Sequence, residues 1–237
     1  MLDVLGANSE AYGVRLSPAQ MMRFERYLEL LCEWSDRANL VGDVDADVVQ
    51  RRHFLESIAL GAALRQREIL RPASDVLDLG AGAGFPGVVL KIVWPDLRLT
   101  LIEATAKKTA FLAALTAALD MPDVAVITGR AETLAHATKL RAQFDLVVAR
   151  AVAPLPALIE LGLPFARVGG RLVTPKGSRA SDEIAAAKNA LGVLGGKVFA
   201  VPFAVPGPPQ TIIAVLKQRA TPADYPRRPG VPAKSPL

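Results

Sequence analysis

One stretch constrains this chain more than any other: Val76-Leu77-Asp78-Leu79-Gly80-Ala81-Gly82-Ala83-Gly84-Phe85-Pro86-Gly87. A short apolar run that ends in closely spaced glycines and leads into a second apolar segment reads as strand, tight turn and helix. Glycines at such a turn let the backbone bend sharply and approach a ligand with no Cβ in the way. The alternation then repeats. Strands are predicted over 98–103, 124–128, 144–149 and 171–174, the last after a turn at Gly169-Gly170. Helices are predicted from the glycine turn to about Trp94 and over 107–119, with Trp94-Pro95-Asp96 as a break between units. Continuous β-branched runs alternating with helices imply a parallel sheet covered on both faces. Two last strands, over 197–203 and 211–217, flank Pro206-Gly207-Pro208-Pro209 with no helix between them, so they pair antiparallel.

The first seventy or so residues differ in pattern and read as helical. Ser17-Pro18-Ala19-Gln20 has the form of a capping box, with Ser17 as the cap and Pro18 at the first helical position. Met21, Phe24, Leu28 and Leu31 recur at helical spacing, with Trp34 near the end, and 47–64 forms a second helical stretch. Arg71-Pro72-Ala73-Ser74 marks a boundary. The expected organisation is a helical cap over 1–70, an α/β domain over 71–218 and a basic tail over 219–237. Between Lys217 and Leu237 stand Lys217, Arg219, Arg227, Arg228 and Lys234 against one acid, Asp224, a balance that suits a polyanion such as RNA or, equally, a solvated tail. The longest apolar-looking stretch, 76–94, is interrupted by Asp78, Lys91 and several glycines, so no bilayer span is expected. Met1-Leu2-Asp3-Val4 lacks the basic and apolar regions of a secretory leader, and the single cysteine, Cys32, excludes an internal disulfide or a multi-cysteine metal site. A cytoplasmic monomer that holds no metal is expected.

Asp78, Glu103 and Glu132 fall at the ends of the first three strands or just beyond them. Gly82, Gly84 and Gly87 also satisfy G-x-G-x-x-G, so a dinucleotide must be weighed. A carboxylate two residues before the first glycine repels a pyrophosphate, whereas it favours the sulfonium and ammonium of S-adenosylmethionine. Pro86 in the first helical turn removes a further phosphate donor. Glu103, ending the second strand, suits two ribose hydroxyls, and Ala131-Glu132 suits the edge of an adenine. S-adenosylmethionine is therefore the better match, and the layout is that of the Rossmann-like class I S-adenosylmethionine-dependent methyltransferase fold: a mostly parallel sheet, a C-terminal antiparallel hairpin and an N-terminal helical cap.

Residues after the fourth strand, Ala149-Arg150-Ala151-Val152-Ala153-Pro154, contain no Asp/Asn-Pro-Pro-aromatic tetrad, no Pro-Cys nucleophile and no carboxylate cluster. An acceptor that needs no general base fits this segment. Guanine N7 carries an exposed lone pair and no proton, so its methylation can rest on proximity and desolvation. Arg150 is the candidate catalytic residue; guanine O6, a phosphate and the donor's carboxylate are all open to it.

At these residues the chain resembles the RsmG (GidB) family of bacterial 16S ribosomal RNA guanine-N7 methyltransferases. The matching segments span nearly the whole chain: Trp34, Asn39-Leu40, Arg52-His53, Ser57, the 76–87 run, Glu103, Lys107-Lys108, Phe111-Leu112, Arg130-Ala131-Glu132, Phe144-Asp145, Ala149-Arg150-Ala151, Pro175-Lys176-Gly177 and Tyr225-Pro226-Arg227-Arg228-Pro229-Gly230. Ser35 and Glu56 depart from it, standing where Asn and Asp are usual. The resemblance implies donor contacts at Gly80, Phe85, Ala131-Glu132 and Arg150, and methylation of one guanine in the decoding region of 16S ribosomal RNA, alone or in the small subunit. Pattern and resemblance together give an expected donor site of Asp78, Gly80, Gly82, Gly84, Phe85, Glu103, Ala131, Glu132 and Arg150, Phe85 from the resemblance alone, with Lys176, Arg227 and Arg228 as RNA contacts. His53 is expected to be structural, His136 a surface residue without a partner, and Lys107-Lys108 a solvated helix start. Two other functions share these features: methylation of a small molecule or protein, and a donor-binding ribosome-assembly factor without turnover.

Overall fold

The computed structural model describes every residue except Met1, Ala204, Pro206, Gly207 and Pro209; the predicted Pro206-Gly207-Pro208-Pro209 connection therefore lies, Pro208 apart, outside the described residues. The chain opens with α1 (Asp3–Ser9), which the sequence pattern did not announce, and continues into α2 (Pro18–Ala38). The capping box forms: Ser17 Oγ accepts from Gln20 N, and Gln20 Oε1 accepts from Ser17 N. Asn39, left-handed at φ 52, ends α2 and turns the chain. The second helical stretch runs as three consecutive segments: α3 (Ala46–Val49), a π-helical turn over Gln50–Leu55, and α4 (Glu56–Gln66).

The βα units follow as predicted. They are β1 (Asp75–Leu79), α5 (Gly87–Val93), β2 (Arg98–Glu103), α6 (Ala106–Ala118), β3 (Ala125–Thr128), α7 (Ala131–Leu134), β4 (Phe144–Val148), α8 (Leu155–Gly162) and β5 (Ala166–Lys176). Then come α9 (Ala180–Ala186), α10 (Lys188–Leu194), β6 (Gly196–Phe203), β7 (Gln210–Lys217) and α11 (Val231–Lys234). The described strands make one sheet in the order β3-β2-β1-β4-β5-β7-β6. The first five are parallel; β7 runs antiparallel to both β5 and β6.

One expectation is corrected. Gly169-Gly170 was predicted as a turn before the fifth strand, yet both residues lie inside β5. Phe144 pairs with Ala166 while Leu146 pairs with Arg171, so the glycines form a bulge in the ladder. A Cβ on Gly170 would sit 2.8 Å from Phe144 O, which is why the bulge takes a glycine.

Alternation along β1 divides the core. Val76 joins α2, the π-helical turn, α4, α5 and α6 through Phe24, Tyr27, Phe54, Ile58, Val88 and Phe111 on one face. Leu77 and Leu79 face α8 and α10 through Leu158, Ile159 and Leu194 on the other. Burial of either set contributes about 25 cal/mol per Å² of apolar surface. Asp78 shares the Val76 face, so its carboxylate is driven beneath α5. Among the described residues, no helix is long and apolar enough to cross a membrane.

Candidate functional site

Sheet order reverses at β1, which has β2 on one side and β4 on the other. Open α/β sheets bind ligands outside the carboxyl ends of their strands at such a point. A cavity of about 490 Å³ opens there, within the ~300–1,000 Å³ that small-molecule sites occupy. Its wall includes Gly80, Gly82, Phe85, Glu103, Ala131, Glu132 and Arg150, so seven of the nine predicted donor-site residues converge on it.

Asp78 and Gly84 stand behind that wall. Asp78 is fully buried, and its Oδ2 accepts from Gly87 N at 2.7 Å, the first amide of α5. Its Oδ1 is buried and finds no hydrogen-bond partner among the described residues. Burial pushes the Asp78 pKa up to about 7, against the Gly87 hydrogen bond and the charge of Arg150. Asp78 therefore braces the turn from beneath instead of facing the cavity, as the sequence reading had it. Gly84 (φ 94) does the same in a different way: a Cβ there would lie 2.6 Å from the Tyr27 hydroxyl, which hydrogen-bonds Ala83 O at 2.5 Å.

The turn's amides decide between the two ligands considered. Gly80 N and Ala81 N bond Ile102 O, Gly84 N bonds Ala81 O, and Gly82 N donates to Glu103 Oε2 at 3.1 Å. With Gly87 N held by Asp78, these amides are spent inside the protein. A pyrophosphate needs such amides free. The donor set thus fits a ligand recognised by carboxylates, not by a phosphate nest. Gly80 (φ 70) keeps the entrance open, since a Cβ would meet Val152 Cγ2 at 2.8 Å. Glu103, 8 % exposed, also accepts from Thr105 N at 2.8 Å and retains lone pairs toward the cavity.

Glu132 is spent differently. Its Oε1 accepts from Arg130 Nη2 at 3.0 Å and from Gly230 N at 2.9 Å. Burial raises its pKa, but these bonds, with one from a backbone amide of its own, bring it below the ordinary carboxylate value. The bond to Gly230 reveals what the sequence reading missed: the C-terminal segment returns to the cavity, and Ala233 lines it. His136, expected to lack a partner, contacts Pro226 O at 2.9 Å through Nε2. Arg141 bonds the carbonyls of Thr221, Pro222 and Tyr225.

Most of the tail's positive charge is used in this docking. Lys217 is buried on the carbonyls of Leu163, Pro164 and Ala166, and burial lowers its pKa to about 8. Arg219 bonds the carbonyls of Gly192 and Val193. Arg227 pairs with Glu160, whose side chain is 0 % exposed, through its backbone amide (2.8 Å) and its guanidinium (2.6 and 2.9 Å). Arg228 and Lys234 remain exposed.

Arg150 stands at the junction. Its Nη1 bonds Arg52 O at 2.9 Å and Glu56 Oε2 at 3.4 Å, and its Nη2 lies 2.9 Å from His53 Nδ1. A guanidinium only donates, so Nδ1 is the acceptor and Nε2 carries the ring proton. The π-helical turn that carries Arg52 and His53 is an irregularity of the kind often found at functional sites. Phe85 stacks on His53 (centroids 4.8 Å, 16°) and on Tyr27 (5.3 Å, 12°), with the Arg150 guanidinium 5.2 Å from its ring centre. Burial, then Arg150 and Arg52, lower the His53 pKa to about 4. His53 is therefore neutral near pH 7 and occupied as a hydrogen-bond acceptor.

A second, larger cavity of about 1470 Å³ lies on the other side of Arg150, which with Ala151 lines both. Ala151 holds a left-handed φ of 57, a cost of roughly 1–3 kcal/mol for a non-glycine residue where the surroundings enforce it. Arg51, Arg52, Glu56, Lys176, Gln210 and Thr211 contribute to this cavity. Lys176 pairs with Glu183 at 2.8 Å and bonds Ala153 O at 3.0 Å. Lys108, Leu40 and Val41 reach the first cavity. For the latter two the available signal was Asn39, a helix-ending residue that tolerates the left-handed turn. Among the described residues, no three His, Cys, Asp or Glu side chains gather as a metal site.

The sequence pattern of the family rRNA small subunit methyltransferase G matches residues 20–212. The chain is 42 % identical to ribosomal RNA small subunit methyltransferase G of Roseiflexus castenholzii across 100 % of both chains. It is 44 % identical to the protein of that name from Chloroflexus aggregans across 96 % of this chain and 94 % of the relative. Its fold is similar to that of an O-methyltransferase from Bacillus cereus in complex with SAH, with a TM-score of 0.58 and 17 % identity, covering 92 % of this chain and all of the other. Fibrillarin from Aeropyrum pernix bound to S-adenosyl-L-methionine gives a TM-score of 0.52 at 16 % identity, covering 69 % and 76 % of the two chains.

Proposed function

Since the chain belongs to the rRNA small subunit methyltransferase G family, we propose that it transfers a methyl group from S-adenosylmethionine to N7 of one guanine in 16S ribosomal RNA. The observation that carries this reading is the shared wall: Arg150 and Ala151 separate a small-molecule cavity at the sheet's switch point from a larger one. S-adenosylmethionine supplies an electrophilic methyl group on a sulfonium. Glu103 would hold the ribose hydroxyls, Ala131 and the neighbouring backbone the adenine edge, and the Gly80–Gly82 turn the amino-acid part, with Phe85 and Arg150 closing the far side. Asp78 and Gly84 keep that turn in shape.

The larger cavity takes the acceptor. Exposed Arg51 and Arg52 at its rim suit the RNA backbone, with Lys176 beside them and Arg228 on the docked C-terminal segment. Guanine N7 brings a free lone pair and no proton to remove. His53 fits that requirement, being neutral and engaged by Arg150 rather than placed as a base. Catalysis then rests on holding N7 in line with the methyl group and keeping water from the sulfonium, the ~7–11 kcal/mol class of effect that positioning supplies. We take the working form to be a cytoplasmic monomer.

Nucleoside analysis of 16S ribosomal RNA from cells lacking this protein tests the substrate. One N7-methylguanosine is expected to be missing. An unchanged modification profile would contradict the assignment, and donor binding without any transfer would favour a role in ribosome assembly.

A further inference from the structure

Glu56 has no part in the donor site, yet it is a carboxylate on the wall of the larger cavity, with a side chain only 17 % exposed. It opens α4, directly after the π-helical turn that carries Arg52 and His53. Arg150 bonds it, and Gln210 of β7 lines the same cavity. The contact with Arg150, at 3.4 Å, is long, and Arg150 has two shorter ones in Arg52 O and His53 Nδ1. A carboxylate offers about four lone-pair directions, so Glu56 keeps acceptor capacity facing the space.

The order of groups around the junction is the informative feature. Of the two cavities, Glu56 lines only the larger, whereas Arg150 lines both; the donor cavity lies beyond. Around the edge of guanine the order is N2–H and N1–H, which donate, then O6, which accepts, then N7, which accepts. We infer that Glu56 is the residue that selects guanine: its carboxylate accepts N1–H and N2–H of the acceptor base, Arg150 donates to O6, and N7 is thereby turned toward the donor cavity. The two orders match group for group in charge and in donor or acceptor character. Adenine reverses the first two, presenting a bare N1 to the carboxylate and an amino group to the guanidinium, so the same pair that attracts guanine repels it. This inference rests on the proposed methyl transfer to guanine and adds the element that chooses the base.

The test uses the full-length protein, methyl-labelled S-adenosylmethionine, and small subunits assembled on 16S RNA that carries either guanosine or inosine at the position left unmethylated in cells lacking the protein. Inosine keeps N7, O6 and N1–H but lacks the 2-amino group. The wild-type protein is expected to prefer guanosine over inosine in kcat/KM by roughly 10-fold or more, the range of a lost base-edge contact. In Glu56→Gln, transfer to guanosine is expected to fall roughly 10- to 100-fold, with the guanosine-to-inosine ratio collapsing toward one and donor affinity by calorimetry unchanged. Glu56→Asp, which keeps the carboxylate, is expected to restore the preference. An unaltered ratio in Glu56→Gln overturns the inference. So does a collapsed ratio accompanied by lost donor binding, because Glu56 would then act by holding Arg150 in place. A wild-type protein that labels neither RNA sinks the proposed function itself, an outcome distinct from these.

Discussion

Glu103 links the end of β2 to the glycine turn after β1 by accepting from Gly82 N and Thr105 N while facing the donor cavity. Glu103→Ala unties the turn and, on the proposed function, removes the group that would hold the donor's ribose. The donor Kd is expected to rise roughly 10- to 100-fold, as for loss of hydrogen bonds to a charged group; calorimetry that finds unchanged affinity contradicts the role. Asp78 gives a pH signature. Its carboxyl has a pKa of about 7 when folded and 3.8 as the ordinary value, so the folded chain holds an extra proton between those limits. Stability from this group is complete below about 4 and is lost as pH rises to about 7, by an amount of a few kcal/mol. Asp78→Asn carries no such charge, so relative to wild type it should gain stability across that window; urea midpoints that shift in parallel would refute this. Both acids were legible from their places at strand ends. The division of labour between them was not, because it depends on which face of β1 packs under α5.

The C-terminal segment shows how composition misleads about an element. Its basic residues suggested a solvated tail or an RNA arm, yet Lys217, Arg219 and Arg227 are bound to carbonyls or to Glu160, and α11 sits against the donor cavity. The acids that hold the segment, Glu160 on α8 pairing with Arg227 and Glu132 on α7 accepting from Gly230 N, are distant in sequence, and no local pattern announces them. Arg227→Ala leaves Glu160 buried without its counter-charge, holding only the backbone amide of residue 227, a loss of roughly 3–5 kcal/mol. The variant is expected to melt lower and to be cut by protease after β7; a protease pattern identical to wild type would show that the segment docks without this pair. The first four strands and the helices α5 and α6, by contrast, were readable to within a residue or two, because their signals are local: the glycine turn and unbroken β-branched runs. Gly169-Gly170 misled for the opposite reason, since a bulge and a turn share the same residues until the neighbouring strand is known.

Across the molecule, the order β3-β2-β1-β4-β5-β7-β6 brings two cavities to the carboxyl edge of the sheet and sets Arg150 between them. The α/β class and the antiparallel ending follow from the alternation of elements, whereas the second cavity does not. It needs the helical cap, β5 and β7 to meet, and each contributes a residue, Arg52, Lys176 and Thr211, whose convergence no local pattern announces. The central claim is that the carboxylate-lined cavity delivers a methyl group to a guanine held next to it. The most direct measurement is incubation of the purified protein with methyl-labelled S-adenosylmethionine and small subunits from cells lacking it, followed by digestion of the 16S RNA to nucleosides. One equivalent of label in 7-methylguanosine is the predicted result; label in another nucleoside, or none in the RNA at all, would contradict it.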